Sequence, residues 1–244
     1  MGMDKVSTVF SRKSKQAEQE PLSFFITLVE MTDASRRELE AVPKVHSMIH
    51  HGLPLPEYQA FLHDLYHIVW NFCPVMAAAA SRCGEEFREV RYALYERIEE
   101  EKGHEAWVLE DIEALGGDVS AAGVNPPSAP VQAMIAFNYH GADRVHPCSV
   151  LGMLYMLEVV SSVYGGRVSE SIAQALGRDV AAGGFKFLTS HATMDVDHMA
   201  KLNRLVKTIA DPGARAAIVN STRVNFYQFG RMFSEGGFTA HLKA

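Results

Sequence analysis

A regular apolar pattern between Glu57 and about Arg82 constrains the fold of this 244-residue chain more than any other feature. Its apolar residues recur at intervals of three and four, the spacing of one helix face, and they are Phe61, Leu65, Ile68, Val69, Phe72 and Met76. Pro56 suits the first turn of a helix and Gly84 its end, while Pro74 inside the stretch predicts a kink. The pattern therefore predicts one long, kinked helix.

Helical spacing continues through most of the remaining sequence. A second long helix is predicted from about Glu86 to Leu115, where Gly116-Gly117 ends it. Thr32–Ser35 offers N-cap residues to a helix over Arg36–Ala41. Shorter or later helices are predicted over Lys44–His51, Val131–Ala142, Pro147–Tyr164, Val168–Leu176, Phe185–Ala210 and Pro212 to about Ser234.

Only a few segments fall outside this pattern. Pro21–Glu30 reads as a short helix or a strand-like arm, and Asp118–Pro130 as a loop rich in glycine and proline. Alternating β-branched residues, the signature of strands, do not stand out anywhere. We therefore expect an all-α fold, a single-domain helical bundle of seven or more helices over residues 21–244.

Composition excludes several classes of protein. A net charge of −6 argues against a general binder of nucleic acid or anionic membranes. Runs such as Ala77–Ala80 are far shorter than the roughly 20 apolar residues of a membrane span. Residues 1–20 are polar and are expected to be a disordered leader. The three cysteines form no CxxC pair, so we expect a reducing, cytoplasmic location.

The sequence His191-Ala-Thr-Met-Asp195-Val-Asp-His198 places three metal-ligand side chains at i, i+4 and i+7. In a helix these offsets return to within about 40° of one direction, so the three side chains would share a face. Imidazole and carboxylate together suit iron, manganese or zinc. The alternative is an exposed polar face or a His–Asp pair satisfied by hydrogen bonds.

Two further segments supply complementary ligands. Glu101 and His104 stand at i, i+3 and would share a helix face. Acidic runs are usually exposed, but His104 lies between apolar positions and is expected to face inward, and Gly103 beside it suggests that something needs space there. Glu158 is a lone carboxylate in an apolar helix, which is unfavourable to bury unless it is paired or bound to a cation. Otherwise Glu158 would be hydrogen-bonded to a Tyr or His, such as Tyr155 one turn earlier.

These residues form the ligand inventory of a carboxylate-bridged di-iron site inside a helical bundle: Glu101, His104, Glu158, His191, Asp195 and His198. In this order the sequence resembles the heme-oxygenase-like di-iron oxidases, within the superfamily of heme oxygenases, TenA thiaminases and PqqC-like proteins. The likeness covers roughly residues 40–235. Because Arg97 and Leu94 occupy the other helical offsets from His104 at which relatives place the first Glu, Glu101 is favoured, with Glu100 as the fallback.

The resemblance implies a heme-oxygenase-like fold and an O2-dependent non-heme di-iron oxidoreductase with two irons, Fe(II) or Fe(III), per chain. Similar proteins carry out N-oxygenation, desaturation or oxidative C–C cleavage of amino or fatty acids. The expected partners are O2 and a small amine- or carboxylate-bearing metabolite. An external electron donor is left open, and so is a homodimer through Phe226–Phe233.

Tyr155, His67 and Arg167 are candidates for residues that support the metal ligands or line the substrate pocket, and Arg144 and Lys186 could also hold a substrate carboxylate. Oxidation of the protein's own Tyr155 or Tyr164 is a further option.

Other functions stay open at this point. Leu154–Glu158 followed by Val163–Arg167 resembles the helix that lies over heme in bacterial heme oxygenases, where glycines let the backbone approach the porphyrin. Its axial ligand would come from His46, His50, His51 or His67. A thiaminase-like enzyme would use Cys148 as its nucleophile. A metal-free helical protein that binds a small ligand is the alternative without turnover.

Overall fold

Helices account for nearly all regular structure in the computed structural model, which describes residues 23–234 without the side chain of Val196. Within that range no strand is present, and the helices are α1 Phe24–Glu40, α2 Pro43–His50, α3 Leu55–Arg82, α4 Arg88–Glu101, α5 Glu105–Ala114, α6 Val119–Val124, α7 Ala129–His140, α8 Val150–Val160, α9 Gly166–Ala175, α10 Lys186–Thr208 and α11 Pro212–Met232. The expected all-α bundle is confirmed. The expected leader, residues 1–20, lies outside the described residues.

Helices α8 and α11 form the centre of the bundle. Helix α11 packs along α8, α1 and α7, while α10 lies against α8 and the π-helical turn Ser161–Gly165 that follows it. Helix α3 packs against α4, α5 and α7. Phe226, Phe229 and Phe233 are buried in this core, so the aromatic end of α11 packs within the chain.

The predicted helix over Glu86–Leu115 is wrong in one important respect, because the structure divides it into α4 and α5. Lys102 adopts an extended conformation, and Gly103 has φ of +88°. That left-handed conformation favours glycine. A Cβ atom at Gly103 would meet nothing within 4 Å, so backbone conformation, and not a need for space, explains this glycine.

The N-terminal helix also differs from the prediction. Helix α1 runs without interruption through Thr32–Ser35, which was expected to cap a later start. The hydroxyl of Thr32 donates to the carbonyl of Leu28 at 2.7 Å, and Asp33 forms ion pairs with arginines one turn onward. Thr32 and Asp33 both make these contacts from within a continuous helix, so neither residue marks a helix end. The expected loop after Asp118 likewise contains α6, which the Asp118 side chain caps.

The remaining long helices agree closely with the predictions. Helix α3 contains Pro74, and Asp211 caps α11 by accepting a hydrogen bond from the amide of Ala214 at 2.6 Å. The stretch Pro147–Ala175 meets the length and composition of a membrane span, which the short apolar runs did not indicate. However, 72% of its most apolar 18-residue window is buried inside the protein. It is therefore the core of the bundle.

Candidate metal centre

The three ligand-type side chains of α10 point into the bundle from one helix face. His191, Asp195 and His198 are each no more than 6% exposed. The alternative of an exposed polar face is therefore wrong. Glu101 at the end of α4 and His104 just before α5 lie opposite them and are 5% and 7% exposed.

A first group of donor atoms is formed by Glu101, His104 and His191. Nδ1 of His104 lies 2.9 Å from Oε2 of Glu101 and 3.3 Å from Nε2 of His191, which is itself 3.5 Å from the same Glu101 oxygen. Ligands that each lie about 2.1 Å from one metal ion are about 3.0–3.4 Å from one another. The spacing of these three atoms therefore fits a single metal ion.

A second group shares Glu101 with the first. Nδ1 of His198 lies 2.8 Å from Oδ1 of Asp195 and 3.5 Å from Oε1 of Glu101. One donor atom from each of the three side chains lies within 4.8 Å of the others. Glu101 thus contributes one oxygen to each group, which is the arrangement of a carboxylate that bridges two metal ions.

The break between α4 and α5 explains how Glu101 and His104 meet. They were expected to share the face of a continuous helix, whereas the turn at Lys102-Gly103 brings them together. The ring of His104 then stacks on Trp107 with a centroid separation of 3.9 Å. The helix break therefore positions the first group directly.

Hydrogen bonds orient the α10 donors. Nδ1 of His191 donates a hydrogen bond to the carbonyl oxygen of Phe187, 3.0 Å away. Nε2 of His191 therefore faces the other two donors of the first group, on Glu101 and His104. Ser161, in the π-helical turn after α8, donates to Oδ2 of Asp195, so that Oδ1 faces His198. These contacts fix which atom of each side chain is available to a metal ion.

The neighbours of Glu101 lower the pKa of its carboxyl group. Burial alone would raise the pKa of Glu101, but hydrogen bonds with His104 and His191 outweigh burial and hold this pKa well below its usual range. Glu100 is one-third exposed and pairs with Lys201 at 2.6 Å. Glu101 and not Glu100 is therefore the carboxylate common to both groups.

Glu158 lies beside the two groups but belongs to neither. It is 3% exposed, and its Oε1 is 2.8 Å from Nη2 of Arg97, a buried arginine of α4. Burial raises the pKa of Glu158 to about 8, although Arg97 opposes the shift. Within residues 23–234 neither carboxylate oxygen of Glu158 has a hydrogen-bond partner, so its contact with Arg97 is an ion pair. The expected partner Tyr155 packs instead against Phe25 of α1, with a centroid separation of 6.0 Å.

Asp111 anchors the ligand helix, and the sequence analysis missed it. Its buried carboxylate accepts hydrogen bonds from the amides of Lys186 and Phe187 at 2.7 and 2.8 Å. These amides belong to the first turn of α10 and have no partner inside the helix. Asp111 therefore connects α5, which begins beside His104, to the helix that carries His191.

We expect Asp111→Ala to lower the free energy of unfolding by about 2 kcal/mol, because two buried amides lose their acceptor. It should also weaken metal binding, since α10 is no longer anchored beside α5. The matched control is Glu110→Ala, which removes only the surface pair between Glu110 and Lys186 and should change stability by less than about 0.5 kcal/mol. Thermal denaturation of both metal-free variants measures the difference, and equal effects would contradict the anchoring role.

An apolar cavity of about 100 Å³ opens onto the cluster. Its polar end contains Arg97, Glu101, Glu158, His191 and Asp195, and its walls include Leu65, Ile68, Val69, Phe72, Leu157 and Val160. Tyr164 also lines the cavity and donates a hydrogen bond to Glu40. The cavity offers an apolar space next to the candidate metal ligands.

Several residues predicted for the substrate pocket lie elsewhere. His67 is bonded to the carbonyl of Asn125 at 2.9 Å. Arg167 lies over the outer face of Tyr164. Arg144 and Lys186 form ion pairs with Asp143 and Glu110 on the surface. These long cationic side chains contact nearby carboxylates or an aromatic ring. Their positions near helix ends in the sequence therefore did not indicate whether they line the cavity.

The histidines and the cysteine proposed for other activities do not line the cavity. His46, His50 and His51 are exposed on and just after α2. Cys148 is fully buried and lies outside the cavity lining, and burial raises the pKa of its thiol to about 12. Gly165 approaches the backbone of α10 at Leu188, so this glycine serves contact between helices.

Comparisons with known proteins agree with this architecture. A family model described as iron-containing redox enzyme matches residues 59–225. Comparison with curated proteins gives no significant match. Among solved structures, a domain of unknown function with a heme oxygenase-like fold from Shewanella denitrificans OS217 has a TM-score of 0.80 at 17% identity, over 92% of this chain and 95% of that one.

Two further structures have the same fold. A TenA homolog from Pseudomonas syringae pv. tomato has a TM-score of 0.72 at 13% identity, over 88% of this chain and 92% of that one. Heme oxygenase from Leptospira interrogans has a TM-score of 0.71 at 14% identity, over 88% of this chain and 100% of that one. At such low identity these structures establish the heme-oxygenase-like fold and carry no information about activity.

Proposed function

Because the chain belongs to the family of iron-containing redox enzymes, we propose that it is a non-heme di-iron oxidase that uses O2 to oxidise a small amine- or carboxylate-bearing metabolite. One observation carries the proposal. Two buried donor groups, each spaced for one metal ion, share the carboxylate of Glu101 beside an apolar cavity. Imidazole and carboxylate donors are the set that non-heme iron accepts.

The first iron would be held by Glu101, His104 and His191, and the second by Glu101, Asp195 and His198 with Glu158 close by. Bound Fe(II) would supply the electrons for reducing O2. The chain's own residues orient these donors. The Phe187 carbonyl fixes the tautomer of His191, and Ser161 fixes which oxygen of Asp195 faces His198.

The cavity supports a substrate with two parts. Its walls are apolar, so the body of the substrate would be an aliphatic or aromatic group that displaces water from the cluster. The amine or carboxylate would lie at the polar end, where Arg97, Glu101 and Glu158 are located. Burial of all six proposed ligands keeps bulk water away from the reacting atoms.

The alternatives receive less support from the same contacts. A heme-degrading enzyme needs an axial histidine, whereas His46, His50 and His51 are exposed and His67 is bonded to Asn125. A thiaminase-like reaction needs a reactive thiolate, whereas Cys148 lies outside the cavity lining with a raised pKa. A cytoplasmic location, suggested by three free cysteines, remains a prediction.

The test is O2 uptake by protein loaded anaerobically with Fe(II), in the presence of short and medium-chain carboxylic acids, amines and amino acids. We expect uptake to rise well above the substrate-free rate for members with an apolar body. The control is the double variant His191→Ala/His198→Ala, which removes one imidazole from each donor group and should show no stimulation. If no member of the series accelerates uptake in the wild-type protein, the proposed oxidase activity is wrong.

A further inference from the structure

Arg97 is a buried cation among the carboxylates of the candidate centre. It is 6% exposed and lies on α4 one turn before Glu101. Its Nη2 is 2.8 Å from Oε1 of Glu158, and its Nη1 is 3.5 Å from Oε1 of Glu101. The Glu101 oxygen that approaches Arg97 is the one that faces His198 in the second donor group.

The buried carboxyl groups around Arg97 explain why the cluster contains this arginine. Glu101, Glu158 and Asp195 are three buried carboxyl groups, and each of them requires a nearby cation or hydrogen-bond donor when it is ionised. Arg97 is the permanently charged cation in direct contact with Glu158. Two divalent ions would bring positive charge to the same carboxylates, and Arg97 would then add to an excess.

Glu158 shows the competition most clearly. It is the predicted ligand that lies outside both donor groups, and the contact with Arg97 holds its Oε1. The contact with Arg97 is an ion pair, and neither carboxylate oxygen of Glu158 has a hydrogen-bond partner within the described range 23–234. Buried carboxylate oxygens that accept no hydrogen bond are suited to binding a cation.

We propose that Arg97 is a stand-in cation for the second iron, holding Glu101 and Glu158 in the metal-free protein and releasing Glu158 when the second ion binds. This inference rests on the proposed di-iron function. It predicts ordered loading, in which Glu101, His104 and His191 bind the first ion while Arg97 stays in place. The second ion binds more weakly because the guanidinium must first move.

The structure provides a place for the released guanidinium. Arg97 borders the apolar cavity on one side and a surface groove of about 410 Å³ on the other. Besides leucines and the cations Lys201 and Arg204, the groove is lined by three carboxylates, those of Glu89, Glu96 and Glu100. Nε of Arg97 is already 3.7 Å from Glu100. A rotation toward this groove exchanges one set of carboxylates for another.

The experiment is anaerobic titration with Fe(II) followed by calorimetry, and with Mn(II) followed by electron paramagnetic resonance, which separates single ions from coupled pairs. In the wild-type protein we expect two steps, the second at least about tenfold weaker. Arg97→Gln should tighten the second step about tenfold or more and leave the first step nearly unchanged. Arg97→Lys keeps the charge and should keep the weak second step.

Arg88→Gln is the matched control, because it removes one positive charge from the same helix at an exposed pair with Glu85. It should leave both steps unchanged. An unaltered or weaker second step in Arg97→Gln overturns the inference while leaving the di-iron centre intact. Absence of any metal binding by the wild-type protein overturns both. If Arg97→Gln folds only with metal, the stand-in role is supported; if it folds in neither condition, Arg97 is a determinant of the fold and the inference fails.

Discussion

Glu101→Gln is expected to abolish iron loading at both positions of the candidate centre. One oxygen of Glu101 lies 2.9 Å from His104 in the first donor group, and the other lies 3.5 Å from His198 in the second. The amide keeps the shape of the side chain but removes the charge that both metal ions would share. The bound iron should therefore fall from about two ions per chain to well below one.

Glu100→Gln is the matched control, because it removes the same charge from the adjacent position. Glu100 is partly exposed, and its carboxylate already pairs with Lys201. Glu100 also lies 3.5 Å from Nε2 of His198, the ring nitrogen outside the donor group. We therefore expect this variant to retain at least one iron per chain in a metal analysis after removal of loosely bound ions, whereas Glu101→Gln retains well below one. If Glu100→Gln lost iron and Glu101→Gln kept it, the assignment of the bridging carboxylate would be reversed.

Gly152→Ala is expected to lower the free energy of unfolding by about 3 kcal/mol. Gly152 lies where α8 crosses α11, and a methyl group there would clash with the carbonyl oxygen of Ile218 and lie 2.7 Å from the amide nitrogen of Thr222. Both atoms belong to the backbone, so a rotamer change cannot relieve the contact. The two helices must therefore separate. This separation should also shift Glu158, which lies about two turns after Gly152 on α8.

The control for this variant is Gly166→Ala at the start of α9. Gly166 has helical dihedral angles, and an added Cβ would meet nothing within 4 Å. Alanine should therefore stabilise the helix by up to about 1 kcal/mol. Chemical denaturation of both metal-free variants tests the contrast. A small effect at Gly152 would show that α8 and α11 are not closely packed there.

The sequence predicted most of the fold because helical periodicity is a local property. The long α3 and the ligand helix α10 follow from apolar spacing and from side chains at i, i+4 and i+7. The break between α4 and α5 was not predicted from the sequence. The helical pattern of apolar residues continues across Lys102-Gly103. The sequence therefore did not show that Gly103 ends a helix, which only its backbone conformation reveals.

The site residues divide in the same way. The six proposed ligands could be named from residue types and spacing, and the structure brings five of them into two groups. Their role in binding iron stays a prediction. Arg97 and Asp111 were not recognised as part of the site, because their importance depends on partners in other helices: Glu158 of α8 for Arg97, and the first amides of α10 for Asp111. Sequence spacing does not indicate which residues of different helices contact each other.

The most direct test of the central claim is the iron stoichiometry and optical spectrum of protein reconstituted anaerobically with Fe(II) and then exposed to O2. The donor geometry predicts about two irons per chain and a transient visible band after O2 is added. Less than one tightly bound iron per chain would contradict a di-iron centre. A Soret band on adding hemin, without tight binding of free iron, would instead assign the protein to heme chemistry.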